Sequence, residues 1–127
     1  MKKLSVILSI FFLIAISVNG KQSSTPKSDS MIRHTVAFKL KHPKGSLEER
    51  EFFKAAEKLP KISSVHNFAV FRETSKKNDF DYFFYMEFQS QEGYEAYNVH
   101  PDHVQFVENY WVKYVDKFIE IDYEALE

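Results

Sequence analysis

Apolar residues recur at every second position in four segments of the chain, which is the period of a β-strand that buries one face. The segments are residues 32–40, 65–71, 80–88 and 115–122. In the fourth segment the alternating apolar positions are Val115, Ile119 and Ile121. In the third, Phe83 and Tyr85 make the second set of alternating positions apolar too. This pattern predicts that the third strand is central and covered on both faces.

Helix signals separate the strands. Ser46 followed by Glu49 forms a capping-box pattern, so a helix is predicted to begin after Ser46 and to end at Pro60. Ser90 can cap a second helix. Pro101 suits the first turn of a further helical stretch, because proline lacks the N–H that is unpaired there anyway.

The predicted order is strand, helix, strand, strand, helix, strand. This is the α+β, ferredoxin-like β-α-β-β-α-β arrangement, with an antiparallel sheet, both helices on one face and strands one and three in the middle. The other face is left bare, and its candidate residues are Phe68, Val70, Phe83 and Tyr85. Soluble monomers rarely expose a large apolar face, so we expect a homodimer whose two sheets pack together as a dimeric α/β barrel.

The N-terminal 30 residues have a different composition from the predicted domain, residues 31–127. Lys2 and Lys3 precede an apolar run from Leu4 to Val18, and Gly20 marks a cleavage point, as in a secretory signal peptide of residues 1–20. Residues 21–30 are polar and are predicted to be a flexible linker. We therefore expect export to a periplasm or the exterior, with transient membrane contact. An uncleaved membrane anchor is the alternative.

Composition narrows the function classes. Removal of Lys2 and Lys3 with the signal peptide lowers the 17 basic residues to 15 against 18 acidic ones, a net charge of −3. That balance argues against nucleic-acid binding. The chain has no cysteine, so disulfides and a cysteine nucleophile are excluded, and it has no Gly-rich phosphate loop. Its 13 Phe and 7 Tyr favour an aromatic core and an apolar ligand pocket.

Candidate chemistry lies around the start of the helical stretch at Pro101. A neutral imidazole at His103 could act as a general base, and Tyr97 could donate a hydrogen bond to a developing enolate oxygen. The alternative is that His103 is a hydrogen-bonded structural histidine. His100 and His103 are three residues apart, but no third residue nearby could complete a metal site. We therefore predict no metal and no cofactor. The candidate pocket residues are His34, Phe38, Tyr94, His100 and Trp111.

Several residues together resemble a known family. They are His34, Asp79-Phe80-Asp81-Tyr82, Phe88, Tyr97, His100-Pro101-x-His103, Trp111, Phe118 and Asp122. Their order and spacing resemble the stress-responsive dimeric α/β-barrel domain over residues 31–123. The resemblance implies a homodimeric barrel. In one member type, a plant polyketide cyclase, a tyrosine and a histidine matching Tyr97 and His103 carry out an aldol cyclisation, and a pocket histidine matches His34.

Three functions follow as hypotheses. The first is an exported homodimer that binds a small apolar or aromatic ligand. The second is a cofactor-free lyase or cyclase acting on a carbonyl compound, with His103 as general base and Tyr97 as oxyanion donor. The third is a structural or protective oligomer.

Overall fold

The predicted strands form a four-stranded antiparallel sheet in the computed structural model, which describes residues 31–126. The strand order is β2-β3-β1-β4, so the first and third strands are central, as predicted. The elements are β1 Ile32–Leu40, α1 Leu47–Ala56, a 3₁₀ turn Leu59–Lys61, β2 His66–Arg72, β3 Tyr82–Phe88, α2 Gln91–Asn98, α3 Pro101–Phe106, a π-helical turn Val107–Trp111, a last α-helical turn Val112–Tyr114 and β4 Val115–Tyr123. The fold is ferredoxin-like. The predicted signal peptide and linker lie outside the described residues.

The helix starts follow the predicted capping residues. Ser46 Oγ accepts a hydrogen bond from the Glu49 N–H at 3.2 Å, and Ser90 Oγ accepts one from the Gly93 N–H at 3.1 Å. The end of α1 differs from the prediction, because the helix stops at Ala56 and Pro60 lies in the 3₁₀ turn that follows. That turn buries Leu59, which closes the core beneath the helix.

An aromatic core joins the helices to the sheet. Phe38 of β1 is fully buried and its ring lies near five others, at centroid distances between 4.8 and 6.4 Å. These rings belong to Phe52, Phe53, Tyr82, Phe84 and Trp111. Because α1, the sheet and the π-helical turn all contribute a ring, the aromatic residues hold the two layers together.

The register of β2 corrects the predicted sheet faces. Val70 pairs with Phe84, and the Phe68 ring lies 5.5 Å from the Phe84 ring, so both residues share the helix-covered face rather than the bare one. Both alternating sets of β2 are apolar, and only its pairing with β3 distinguishes them. Phe71 pairs with Phe83 and takes the place on the bare face.

A register shift between Lys39 and Leu40 similarly changes the faces of β4. Val115 is buried, whereas Ile119 and Ile121 are about half exposed on the opposite face, although the three alternate in sequence. We call the uncovered surface the open face. It carries the apolar residues Phe71, Phe83, Tyr85, Ile119, Ile121 and Tyr123.

Ion pairs close one end of the sheet, where β3 begins at Tyr82 rather than at the predicted Phe80. Asp79 binds Lys39 at 2.6 Å and also binds Lys117, and Asp81 binds Lys44 at 3.0 Å. The hydrogen bonds from Lys117 and Lys39 lower the pKa of Asp79 to about 2. The two aspartates therefore have a structural role.

Candidate functional site

A cavity of about 250 Å³ lies between the sheet and the helical segment that follows α2. Most of its wall is apolar, and its polar residues are His34, Tyr97, His103 and Glu120. The apolar lining residues are Val36, Leu59, Phe84, Met86, Phe106, Val107, Trp111 and Phe118. An apolar wall with a few convergent polar groups is the usual construction of a small-molecule site.

The π-helical turn supplies one wall of this cavity. In this turn the Val112 N–H donates a hydrogen bond to the Val107 carbonyl, five residues earlier, so the turn is wider than an α-helical one. Val107 and Trp111 both line the cavity. The Trp111 ring also lies 5.4 Å from Phe118 of β4, so the turn is fixed against the sheet. Turns of this kind often occur at functional sites.

The tautomer of His103 is set by the backbone of α2. Its Nδ1 lies 3.1 Å from the Asn98 carbonyl oxygen, which can only accept, so Nδ1 carries the proton and Nε2 keeps its lone pair. Burial lowers the pKa of His103, and the hydrogen bond to Asn98 only partly opposes this. The residue is therefore a neutral imidazole with an available acceptor nitrogen at neutral pH.

We expect the His103 ring in the folded protein to titrate below 6.5, the ordinary value for histidine. NMR titration of the histidine ring protons measures it, with the urea-denatured chain as control. Because the folded pKa is the lower one, the unfolded state binds more protons, and His103 makes folding less favourable as pH falls from 6.5 through the folded pKa. A folded midpoint at or above 6.5 would contradict the buried, neutral state.

Tyr97 lies directly against this histidine. The two ring centroids are 4.1 Å apart, and Tyr97 is only 4% exposed. Burial raises the pKa of Tyr97 well above its usual range, so its hydroxyl keeps its proton and can donate it in a hydrogen bond. Tyr97 and His103 thus present a donor and an acceptor to one apolar cavity.

A second histidine is held by a carboxylate across the sheet. His34 is 4% exposed, and its Nδ1 lies 2.5 Å from Asp122 Oδ1. The Tyr94 hydroxyl donates to Asp122 Oδ2 at 3.0 Å and lies 3.1 Å from His34 Nδ1. Burial and the bond to Asp122 raise the pKa of Tyr94. Asp122 therefore orients His34 with its proton on Nδ1, which leaves Nε2 as the other nitrogen for a molecule in the cavity.

Comparison with known proteins identifies the family of the chain. The family model described as the stress responsive A/B barrel domain matches residues 32–125. The chain belongs to this family. A search of curated proteins finds no match.

Solved structures agree with this A/B barrel assignment. A Dabb family protein with a ferredoxin-like fold from Mesorhizobium loti is 50% identical, with a TM-score of 0.74 over 76% of this chain and 98% of that one. A dimeric protein of unknown function from Bacteroides fragilis is 27% identical, with a TM-score of 0.60 over 76% and 97%. A hydroxynitrile lyase from Passiflora edulis, 13% identical, has a TM-score of 0.68 over 78% and 96%, and it shows a shared fold alone.

The barrel domain brings four of the seven sequence-predicted site residues to the cavity wall: His34, Tyr97, His103 and Trp111. The other three do not line it. Phe38 lies in the core, with its ring 5.1 Å from Trp111, and Tyr94 contacts the cavity only through His34. His100 caps α3, because its Nδ1 accepts from the Asp102 N–H at 3.2 Å. Within residues 31–126, no group of three or more potential ligands is placed to hold a metal ion.

Glu120 is the polar residue of the cavity lining in this barrel domain that was not predicted from the sequence. It lies in β4 between Phe118 and Asp122, opposite Val36 of β1, and it lines the cavity. The signal was present, because Phe118 and Asp122 already belonged to the family pattern and every second strand residue shares a face. The exposed carboxylate of Glu120 therefore stands at the cavity mouth.

Proposed function

We propose that this protein is an exported homodimer that binds a small, mostly apolar molecule in the cavity of each protomer. The observation that carries the proposal is the 250 Å³ cavity with an apolar wall and two histidines of fixed tautomer. An apolar cavity of about 150 Å³ can bind benzene, so this one has room for an aromatic ring with a short substituent.

The dimer part of the proposal rests on the open face. Phe71, Ile119, Ile121 and Tyr123 are each more than 40% exposed there. Contiguous exposed apolar surface of this kind is typical of a protein interface. Two structural neighbours, from Bacteroides fragilis and Thermobifida fusca, are described as dimeric. A second copy of this chain is therefore the partner that we propose.

Export is supported by the N-terminal sequence alone, with its two lysines and its apolar run before Gly20. Within residues 31–126, no helix is long and apolar enough to cross a membrane. The mass of the protein recovered from its host tests this part. Loss of residues 1–20 would support it, and an intact N-terminus in the membrane fraction would favour the anchor.

Ligand binding is tested most directly with Trp111, which is the single tryptophan of the chain and lies in the cavity wall. We expect benzyl alcohol to change its fluorescence saturably. Val107→Phe fills the cavity and should weaken that binding by about tenfold or more. Val104→Phe is the matched control, because Val104 lies in α3 outside the cavity lining and is 37% exposed. Unsaturable signals, or equal binding by both variants, would contradict the proposal.

Proton transfer is a second candidate function, favoured by the fixed tautomer and lowered pKa of His103 beside the Tyr97 hydroxyl. In this candidate, His103 Nε2 removes a proton next to a carbonyl and Tyr97 donates a hydrogen bond to the enolate oxygen that forms.

We expect the protein to accelerate deuterium exchange at the α-carbon of phenylacetone in D₂O, followed by NMR. His103→Gln should reduce the rate by about 100-fold or more, because it removes the base and leaves the cavity shape similar. His100→Gln is the matched control, since that histidine caps α3 outside the cavity. Exchange no faster than in buffer, or an unaffected His103→Gln variant, would exclude this candidate and leave the binding function.

A further inference from the structure

The polar groups that line the cavity include more hydrogen-bond acceptors than donors. With Nδ1 committed in both histidines, the neutral rings of His34 and His103 present only Nε2, as an acceptor. Glu120 adds a carboxylate, which also accepts. Tyr97 supplies the one hydroxyl donor in the lining of the described cavity. Trp111 adds an indole N–H, so a bound molecule meets three accepting groups and two donating ones.

The charged residues of the cavity wall also favour a donor ligand, because the wall carries negative charge and no positive charge. Among the lining residues of the described cavity there is no lysine or arginine, and Glu120 is the one carboxylate. The hydrogen bonds and ion pairs found among residues 31–126 do not include one to the Glu120 side chain. Asp122, the nearest acidic residue on the same face of β4, is already occupied by His34 and Tyr94. Within the described residues, the carboxylate of Glu120 therefore has no partner that competes with the polar end of a ligand.

We propose that Glu120 determines ligand specificity, selecting molecules with a protonated amine on an apolar or aromatic body and rejecting carboxylates. The inference rests on the proposed binding function and adds the chemical class of the ligand. An ammonium group offers three donors and a positive charge to Glu120 and the imidazole nitrogens. A carboxylate meets the like charge of Glu120 and finds no cationic partner among the lining residues of the described cavity.

The test compares benzylamine, benzyl alcohol and benzoate, which share one ring and differ in the polar group. Each is titrated into the purified full chain at neutral pH, with Trp111 fluorescence and amide shifts of the cavity residues as readouts. We expect benzylamine to bind about five- to tenfold more tightly than benzyl alcohol, and benzoate to bind most weakly. The benzylamine advantage should decrease as salt increases, because Glu120 is exposed.

Glu120→Gln keeps the side-chain shape and removes the charge, so benzylamine and benzyl alcohol should bind this variant with similar affinity. Asp116→Asn is the matched control, since it makes the same change on β4 outside the cavity lining. Equal affinities for the three probes, or an amine preference that survives Glu120→Gln, would overturn the specificity inference and leave the binding function. Absence of saturable binding by all three would overturn both.

Discussion

Phe38→Ala is expected to destabilise the domain by about 3–5 kcal/mol, measured as the free energy of unfolding in urea. Phe38 is fully buried at the centre of β1, and its ring is surrounded by five aromatic rings from the sheet, α1 and the π-helical turn. Alanine would leave a cavity that these rings cannot fill by small movements. A loss of that size is a large part of the stability of a small domain.

Leu47→Ala is the control for this change. It removes a large apolar side chain from a residue that is 59% exposed at the start of α1, so we expect a change within about 0.5 kcal/mol. Phe38→Leu should fall between the two, because it keeps most of the buried volume. If Phe38→Ala cost no more than Leu47→Ala, the aromatic cluster would not be the part of the core that joins sheet and helices.

The order of strands and helices could be predicted because alternation and capping residues are local signals. Ser46 and Ser90 cap the helices that their sequence context indicates. The assignment of residues to sheet faces was less accurate. Phe68 and Val70 belong to a strand that is apolar on both sides, so only its hydrogen-bonded register with β3 decides which side is covered. The shift near Leu40 separates Val115 from Ile121 for the same reason, since a bulge is not visible in an alternating pattern.

The site was predicted in part. His34, Tyr97 and His103 meet at one cavity, as the family resemblance implied, although more than 60 residues separate the first two in sequence. Glu120 was missed because a charged residue in an edge strand is usually solvated, although its alternate position between Phe118 and Asp122 already placed it on their face of β4. His100 was predicted to be a pocket residue, and in the structure it caps α3 outside the cavity lining.

Ile121→Lys is expected to dissociate the proposed homodimer, raising its dissociation constant by about 100-fold or more. Ile121 is 48% exposed on the open face, opposite Thr35 of β1. In a two-fold interface the substitution occurs twice, so two lysine charges would lose water without gaining partners. Sedimentation equilibrium over a range of concentrations measures the effect, and circular dichroism shows whether the variant remains folded.

Val112→Lys is the matched control, because Val112 is 65% exposed in the last helical turn, on the other side of the sheet from the open face. We expect this variant to remain a dimer, and Ile119→Lys to behave like Ile121→Lys, since both isoleucines belong to the open face. If both isoleucine variants remained dimeric, the dimer interface would have to lie on a surface other than the open face. A monomeric wild-type protein would exclude the homodimer, and the exposed apolar residues of β4 would then require a partner of a different kind.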